Sequence, residues 1–346
     1  MTVTLKDIAE KVGKSVTTVS RALYGFEDVS PKTQALVQQA ALEMGYTPNT
    51  FAQRLQKQRT DTLGFIIPTF GPRFSDPFFS EFLAGIGNKA SALGYDLLVS
   101  TRSPGEAELQ AYRQIVQGRR VDGFILLRTR QQDPRIVYLA EAGVPFVAFG
   151  RTTDGLEFPF VDEDSSTGMR LVVEHLIGLG HRQIACLTPP QDLTFALYRM
   201  HGFRTAMETA GIPVDDTLIV QSDLTQRGGY EQTRQLLARG DPPTAIAACN
   251  DLMAFGAIRA AQERGLNVGI DIAITGFDDI PMAEHSTPPL TTVNQPIYKI
   301  GTMVCEMLIR LLRKETLGAS QITLKPELII RQSSDSRVQS LRKRRC

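Results

Sequence analysis

A chain of 346 residues exceeds one ordinary domain and suffices for two or three, and its 42% apolar content can fill a sizeable core. No run of 18 apolar residues occurs, and the opening MTVTLKDIAEKV carries no signal-peptide stretch; Cys186, Cys249, Cys305 and Cys346 are scattered. A soluble cytoplasmic protein with no disulfide framework and no membrane partner is expected. The net charge of +1 conceals a division: residues 1–60 sum to +3, residues 331–346 to +5 and the middle to −7, which suits a polyanionic partner for the ends and a small or neutral one for the body.

The first sixty residues predict three short helices. Leu5, Ile8, Ala9 and Val12 form one apolar stripe, with Thr4 as N-cap, Asp7 as its acidic partner and Gly13 as the stop. A second helix starts behind Ser15 and runs to about Tyr24, with Val19 and Leu23 inward. Ser30-Pro31 announces a third, which ends at Gly45 and offers Val37, Ala40, Ala41 and Met44 to the same core. Two short helices joined by a glycine turn make a helix-turn-helix, whose second helix can enter the major groove of DNA. Its outward residues, Val16, Thr17 and Thr18, then Arg21 one turn later, suit thymine methyls, phosphates and a guanine edge. A hairpin used only for packing would explain the apolar stripe but not a solvent face rich in Thr, Ser and Arg.

These residues, TLKDIAEKVGKSVTTVSRAL, VSPKTQALVQQAALEMGYTPN and AQRL, resemble the headpiece of the LacI/GalR family of bacterial repressors. The resemblance implies that Val16, Thr17 and Arg21 read base edges. It implies that Thr4, Ser15, Thr18, Ser20 and Asn49 lie near phosphates. It also implies that Leu55, in a hinge segment over 49–60, wedges into a central minor-groove step. The hinge is too short to be a stable helix alone. Val16-Thr17 departs from the bulkier pair of the lac repressor, so operator preference does not carry over.

From Thr62 apolar strand-like runs (LGFIIPTF, YDLLVSTR, VDGFILLR, VPFVAFGR) alternate with helices, and after a break near residue 160 the alternation resumes with QIACLTPP, TLIVQSD, TAIAACND and IAITGFDD. Such alternation predicts parallel sheets in two doubly wound lobes with a cleft at the strand ends. The family resemblance extends here through VEHLIGLGHRQIA, CNDLMAFGAIRA, TGFDDIP and PPLTTVNQP. It implies an α/β core of the type I periplasmic-binding-protein kind behind an all-α headpiece. The domains are expected as 1–48, headpiece; 49–60, hinge; 61–330, core; and 333–346, a disordered basic tail. The first lobe would take about 61–160 and 292–325, the second about 161–291 and 326–332, with crossings near 160, 290 and 325.

Within that cleft the resemblance assigns effector contacts to Arg199, Asn250, Asp278 and Gln295, and an aromatic wall to Phe79. Asp76 and Asp162 are further candidates. Carboxylate, amide and guanidinium groups pair well with vicinal hydroxyls, and a phenyl ring covers an apolar sugar face. Asn250 and Asp278 at strand ends are also explained by capping or turn formation, and Arg199 by a surface ion pair. Gly150 stands where several family members place a ligand-contacting Asp, and Arg128 is the charge expected to substitute from the same lobe. Gly85-Ile86-Gly87 mimics a dinucleotide fingerprint but lies in a helical pattern. Asp162-Glu163-Asp164 reads as favourable charge at a helix start rather than a metal site. No cofactor, metal or catalytic constellation is read.

The expected function is an effector-controlled DNA-binding repressor, a homodimer on a near-palindromic operator, with a sugar or glycoside as small-molecule partner. A nucleobase or nucleoside is the alternative effector. A transport solute-binding protein would require a signal peptide and no headpiece.

Overall fold

The computed structural model describes residues 3–26, 28–46, 59–69 and 76–335. The chain divides into two compact units, Met1–Asp61 and Thr62–Cys346.

The first unit holds α1 (Leu5–Val12), α2 (Val16–Leu23) and α3 (Pro31–Glu43). Each begins on a side-chain cap. Thr4 and Asp7 form a reciprocal capping box, Ser15 accepts from the Thr18 amide, and Ser30 accepts from the Thr33 amide with Pro31 behind it. Gly13 closes α1 at φ 65°, a left-handed turn that glycine adopts without strain. The small core is Ile8, Ala9, Val19, Ala22, Val29, Val37, Ala40 and Ala41.

The second unit contains two parallel sheets. In chain order its elements are β1 (Thr62–Pro68), α4 (Pro77–Ala92), β2 (Asp96–Arg102), α5 (Glu106–Gln117), β3 (Gly123–Leu126), α6 (Pro134–Glu141), β4 (Phe146–Phe149), β5 (Phe160–Glu163), α7 (Ser165–Gly178), β6 (Ile184–Thr188), α8 (Thr194–Thr209), β7 (Ile219–Gln221), α9 (Gln226–Leu237), β8 (Ala245–Ala248), α10 (Asp251–Glu263), β9 (Ala273–Thr275), β10 (Thr292–Asn294), α11 (Ile297–Leu312), β11 (Gln321–Leu324) and β12 (Glu327–Ile329). The first sheet has strand order β11-β5-β4-β3-β1-β2 and the second β7-β6-β8-β9. Central strands β1, β3, β6 and β8 are buried throughout, as helices on both faces require.

The pairing moves the expected lobe limits by a few residues. Phe160–Glu163, expected at the boundary, is a strand of the first sheet. Thr292–Asn294, expected in the first lobe, pairs antiparallel with Glu327–Ile329 and reaches the second sheet through a Thr275–Thr291 bridge. The segment read as the strand TLIVQSD opens instead with a 3-10 turn over Asp216–Leu218. Helix α11 lies beyond the alternation read from the sequence and packs on α4. Gly85 belongs to that contact: a Cβ there would collide with the Tyr298 carbonyl. The lobes also touch directly, where the Thr194 amide donates to Thr129 O and the Gln131 amide to Asp192 O, both at 2.9 Å.

Candidate functional site

Two faces carry the chemistry, one in each unit. On the first, Val16 is 43% exposed and Thr17 is exposed beside it at the start of α2. The Ser15 and Thr18 hydroxyls lie 2.8 Å apart, so both are spent in part on the cap that sets the angle of this helix. Ser20 is half-buried. The Arg21 guanidinium is placed by two neighbours: Nη2 lies 2.7 Å from Asp28, Nε donates to the same carboxylate at 3.1 Å, and the group sits 4.7 Å over the Phe26 ring. Hydrogen bonds from the Thr4 amide and hydroxyl hold the Asp7 carboxyl below its usual range. Asn49 and Leu55 lie outside the described residues.

The second face is a cleft lined from both lobes, enclosing about 630 Å³ of empty space with its open side included. Asp76, Arg128, Asp162, Arg199, Asn250, Asp278 and Gln295 all line it. Phe79 does not. One step along α4 turns a side chain by about 100°, and this puts Phe79 in the core, 1% exposed, under the Arg128 guanidinium at 4.6 Å, while Phe78 supplies the wall. Phe149 and Phe195 add further rings.

The charges pair off. Arg128 meets Asp76 at 3.0 Å, which occupies the cation expected to replace a missing Asp at 150. A side chain at 150 would collide with Thr129 Oγ1, and Gly150 sits at φ 112°, so a substitution there would be strained in this chain. Arg151 meets Asp162 at 2.6 Å. Arg199 is 4% exposed and no surface ion pair: it donates to the Cys249 carbonyl, lies 3.6 Å from Asp278 and is sandwiched by Phe277 and Phe195. Asn250 uses its amide as a cap, accepting from Met253 N at 2.9 Å and donating to Leu224 O at 3.1 Å, yet its side chain still borders the cleft. Asp278 stands at φ 119°, outside the usual region for a non-glycine residue; such strain of about 1–3 kcal/mol persists where surroundings over-determine it.

Sequence reasoning missed Asp251 and Glu163. Asp251 is fully buried and ties the crossing strand β10 to the loop after β9, accepting from Thr292 Oγ1 at 2.6 Å and from Ile280 N at 2.9 Å. In the acidic run only Asp164 does what was read for all three, capping α7 through the Thr167 amide. Asp162 and Glu163 are strand residues at the cleft.

Burial raises the carboxyls of Asp76, Asp162 and, most strongly, Glu163 and Asp251. It pushes Asp278 up to about 7, against the pull of Arg199. From about pH 4 to about 7 the folded chain therefore keeps a proton on Asp278 that the unfolded chain has released. Stability from this group is present below that window and is lost as pH rises through it. Asp278→Asn should thus gain melting temperature on wild type as pH is raised from about 5 to about 7.5. A difference that stays constant over that range would refute the shift. Among the described residues no cluster of His, Cys, Asp and Glu fits a metal ion, and no helix is long and apolar enough to cross a membrane.

The comparisons agree with this geometry. Residues 4–49 match the model for bacterial regulatory proteins of the lacI family, and residues 173–334 match a periplasmic binding protein-like domain. The chain is 35% identical to the HTH-type transcriptional regulator CelR of Thermobifida fusca, over 95% of this chain and 98% of the relative. It is 33% identical to the HTH-type transcriptional repressor CytR of Escherichia coli strain K12, over 96% of each. The lac repressor dimer bound to operator and the anti-inducer ONPF is a structural neighbour at TM-score 0.83 and 32% identity, covering 97% of this chain and 100% of that one. A CelR–cellobiose complex is another, at TM-score 0.74 and 34% identity, covering 96% and 99%. A helix-turn-helix unit with a periplasmic-binding-type α/β core is the build of a ligand-responsive transcriptional regulator and not of an enzyme. The chain belongs to the LacI family of bacterial regulatory proteins.

Proposed function

We propose that this regulator is a homodimeric repressor of carbohydrate-uptake or catabolism genes, which binds a near-palindromic operator through Val16, Thr17 and Arg21 and a sugar or glycoside in the cleft of its core. Thr4, Ser15, Thr18 and Ser20 would take phosphates, and Asn49 and Leu55 the hinge contacts. A neutral sugar in the related CelR complex and an operator-bound dimer in the lac repressor neighbour support the reading. The observation that carries it is the cleft's unfilled polar inventory: both Glu163 oxygens, Thr194 Oγ1, Arg199 Nε and Gln295 Oε1 are buried without hydrogen-bond partners. Buried polar groups are normally paired, so a polyhydroxylated ligand is the natural complement.

Each lobe contributes to that lining, and the chain passes between lobes at β5–α7, β10–α11 and β11–β12. A ligand that favours one lobe arrangement would shift operator affinity by a coupling of about 1–3 kcal/mol. The chain has no Trp, so the test is an extrinsic-dye melting screen of neutral sugars and nucleosides, followed by operator gel shifts with each hit. A sugar that raises the melting temperature and changes operator affinity is expected. Stabilisation by nucleosides alone would replace the effector class.

A further inference from the structure

We propose that Glu163 sets the charge class of the effector: it receives hydroxyl or ammonium donors of a neutral or cationic carbohydrate and bars anionic ones such as sugar phosphates and sugar acids. This rests on the reading of the cleft as the effector site.

The argument begins with the cleft's charges. Among the described lining residues are four carboxylates (Asp76, Asp162, Glu163 and Asp278) and three guanidinium groups (Arg128, Arg151 and Arg199). Every guanidinium is engaged by a carboxylate: Arg128 by Asp76, Arg151 by Asp162 and Arg199 by Asp278. One carboxyl is left over. Glu163 lies at the end of β5, 1% exposed, and neither oxygen has a hydrogen-bond partner.

The unpartnered atoms also have a sign. Burial disfavours the ionised form of Glu163 in the empty cleft, and ligand donors restore it; ionised, Glu163 contributes two acceptors and Gln295 Oε1 a third, while Thr194 Oγ1 can serve either way and Arg199 Nε is the one obligate donor. A ligand must therefore supply more donors than it takes. Sugar hydroxyls do so, and an ammonium does so with a compensating charge. A phosphate or carboxylate brings acceptors only. It would hold Glu163 in the protonated form that burial favours, with a single O–H to give, and could recruit a guanidinium only by breaking a buried ion pair. The aromatic walls of Phe78, Phe149 and Phe195 fit a sugar's apolar face and do nothing for an anion.

The test is a dye-based melting screen of neutral mono- and disaccharides, cellobiose among them, each beside its 6-phosphate and 2-amino counterparts. Calorimetry on wild type, E163Q and E163A then follows with the best binder and its phosphorylated counterpart. Neutral or amino sugars should stabilise the wild type and phosphorylated counterparts should not. E163A should weaken the neutral sugar about tenfold or more, the usual worth of a hydrogen bond to a charged group. E163Q should narrow the discrimination against the 6-phosphate by about tenfold, because it keeps the shape and removes the capacity to ionise when ligand donors arrive. Without ligand both variants should melt at or above wild type, since an unpartnered buried carboxyl costs stability, so a folding defect would be recognised. Equal stabilisation by neutral and phosphorylated sugars, or sugar affinities indifferent to both substitutions, would overturn the assignment of Glu163. Absence of any carbohydrate binding to wild type would overturn the effector reading itself, a distinguishable result.

Discussion

Arg199→Ala is expected to abolish the effector response and to lower the melting temperature of the core by roughly 10 °C, from a loss of about 3–5 kcal/mol. The guanidinium has three simultaneous roles. It donates to the Cys249 carbonyl at the end of β8, it balances Asp278, and it fills the gap between Phe195 and Phe277. Truncation removes the cation that most offsets the burial of Asp278, which then takes up a proton, and leaves a cavity beside Phe195 and Phe277. Arg199→Lys should not rescue the protein, because an ammonium lacks the planar face that both rings contact. Thermal melting with and without the best sugar from the screen is the measurement. A variant that melts with wild type and keeps the full sugar-induced shift would remove Arg199 from the site.

Arg21→Ala is expected to abolish selective operator binding while leaving the effector shift intact. A bidentate contact to a base edge is worth about 1–3 kcal/mol, and a two-fold operator uses it twice, so the specific affinity should fall by roughly 30-fold to 10⁴-fold. Folding should hardly change. The Arg21–Asp28 pair is 44% and 56% exposed, and surface pairs of this kind contribute about 0–1 kcal/mol. For the same reason the pair would cost little to open on an operator, with the guanidinium already lying over Phe26. Competition gel shifts with operator and scrambled duplexes decide the matter. Unchanged selectivity in the variant would exclude Arg21 as a base reader.

The headpiece was legible because its signals are local. Each helix start is written within three or four residues by Thr4 with Asp7, Ser15 with Thr18, and Ser30 with Pro31; the inward stripe repeats within seven. The strands of the core were legible for a similar reason, since a parallel strand covered on both faces reads as one apolar run. Where that signal weakens, the reading slipped. The crossing strands β10 and β12 are three residues long, too short for periodicity, and the acidic sequence Asp162-Glu163-Asp164 conceals a strand end behind a helix cap.

The cleft was legible only in part. Arg199, Asp278 and Gln295 were assigned by resemblance and do face it, but the partners that determine their chemistry come from distant points of the chain. Phe78 rather than Phe79 forms the wall because packing, not composition, sets which face of α4 turns inward. Arg128 is consumed by Asp76, 52 residues away in sequence, and Asn250 divides its amide between a cap and the Leu224 carbonyl.

The amino-acid sequence by itself determined that this protein is a helix-turn-helix unit joined to a two-lobed parallel α/β core, because caps, glycine stops and apolar runs act over a few residues. Only the tertiary structure decided which of the cleft's charges are spent on one another and that Glu163 is the one left over. Burial and pairing are properties of side chains brought together across the sheets, and no local spacing encodes them.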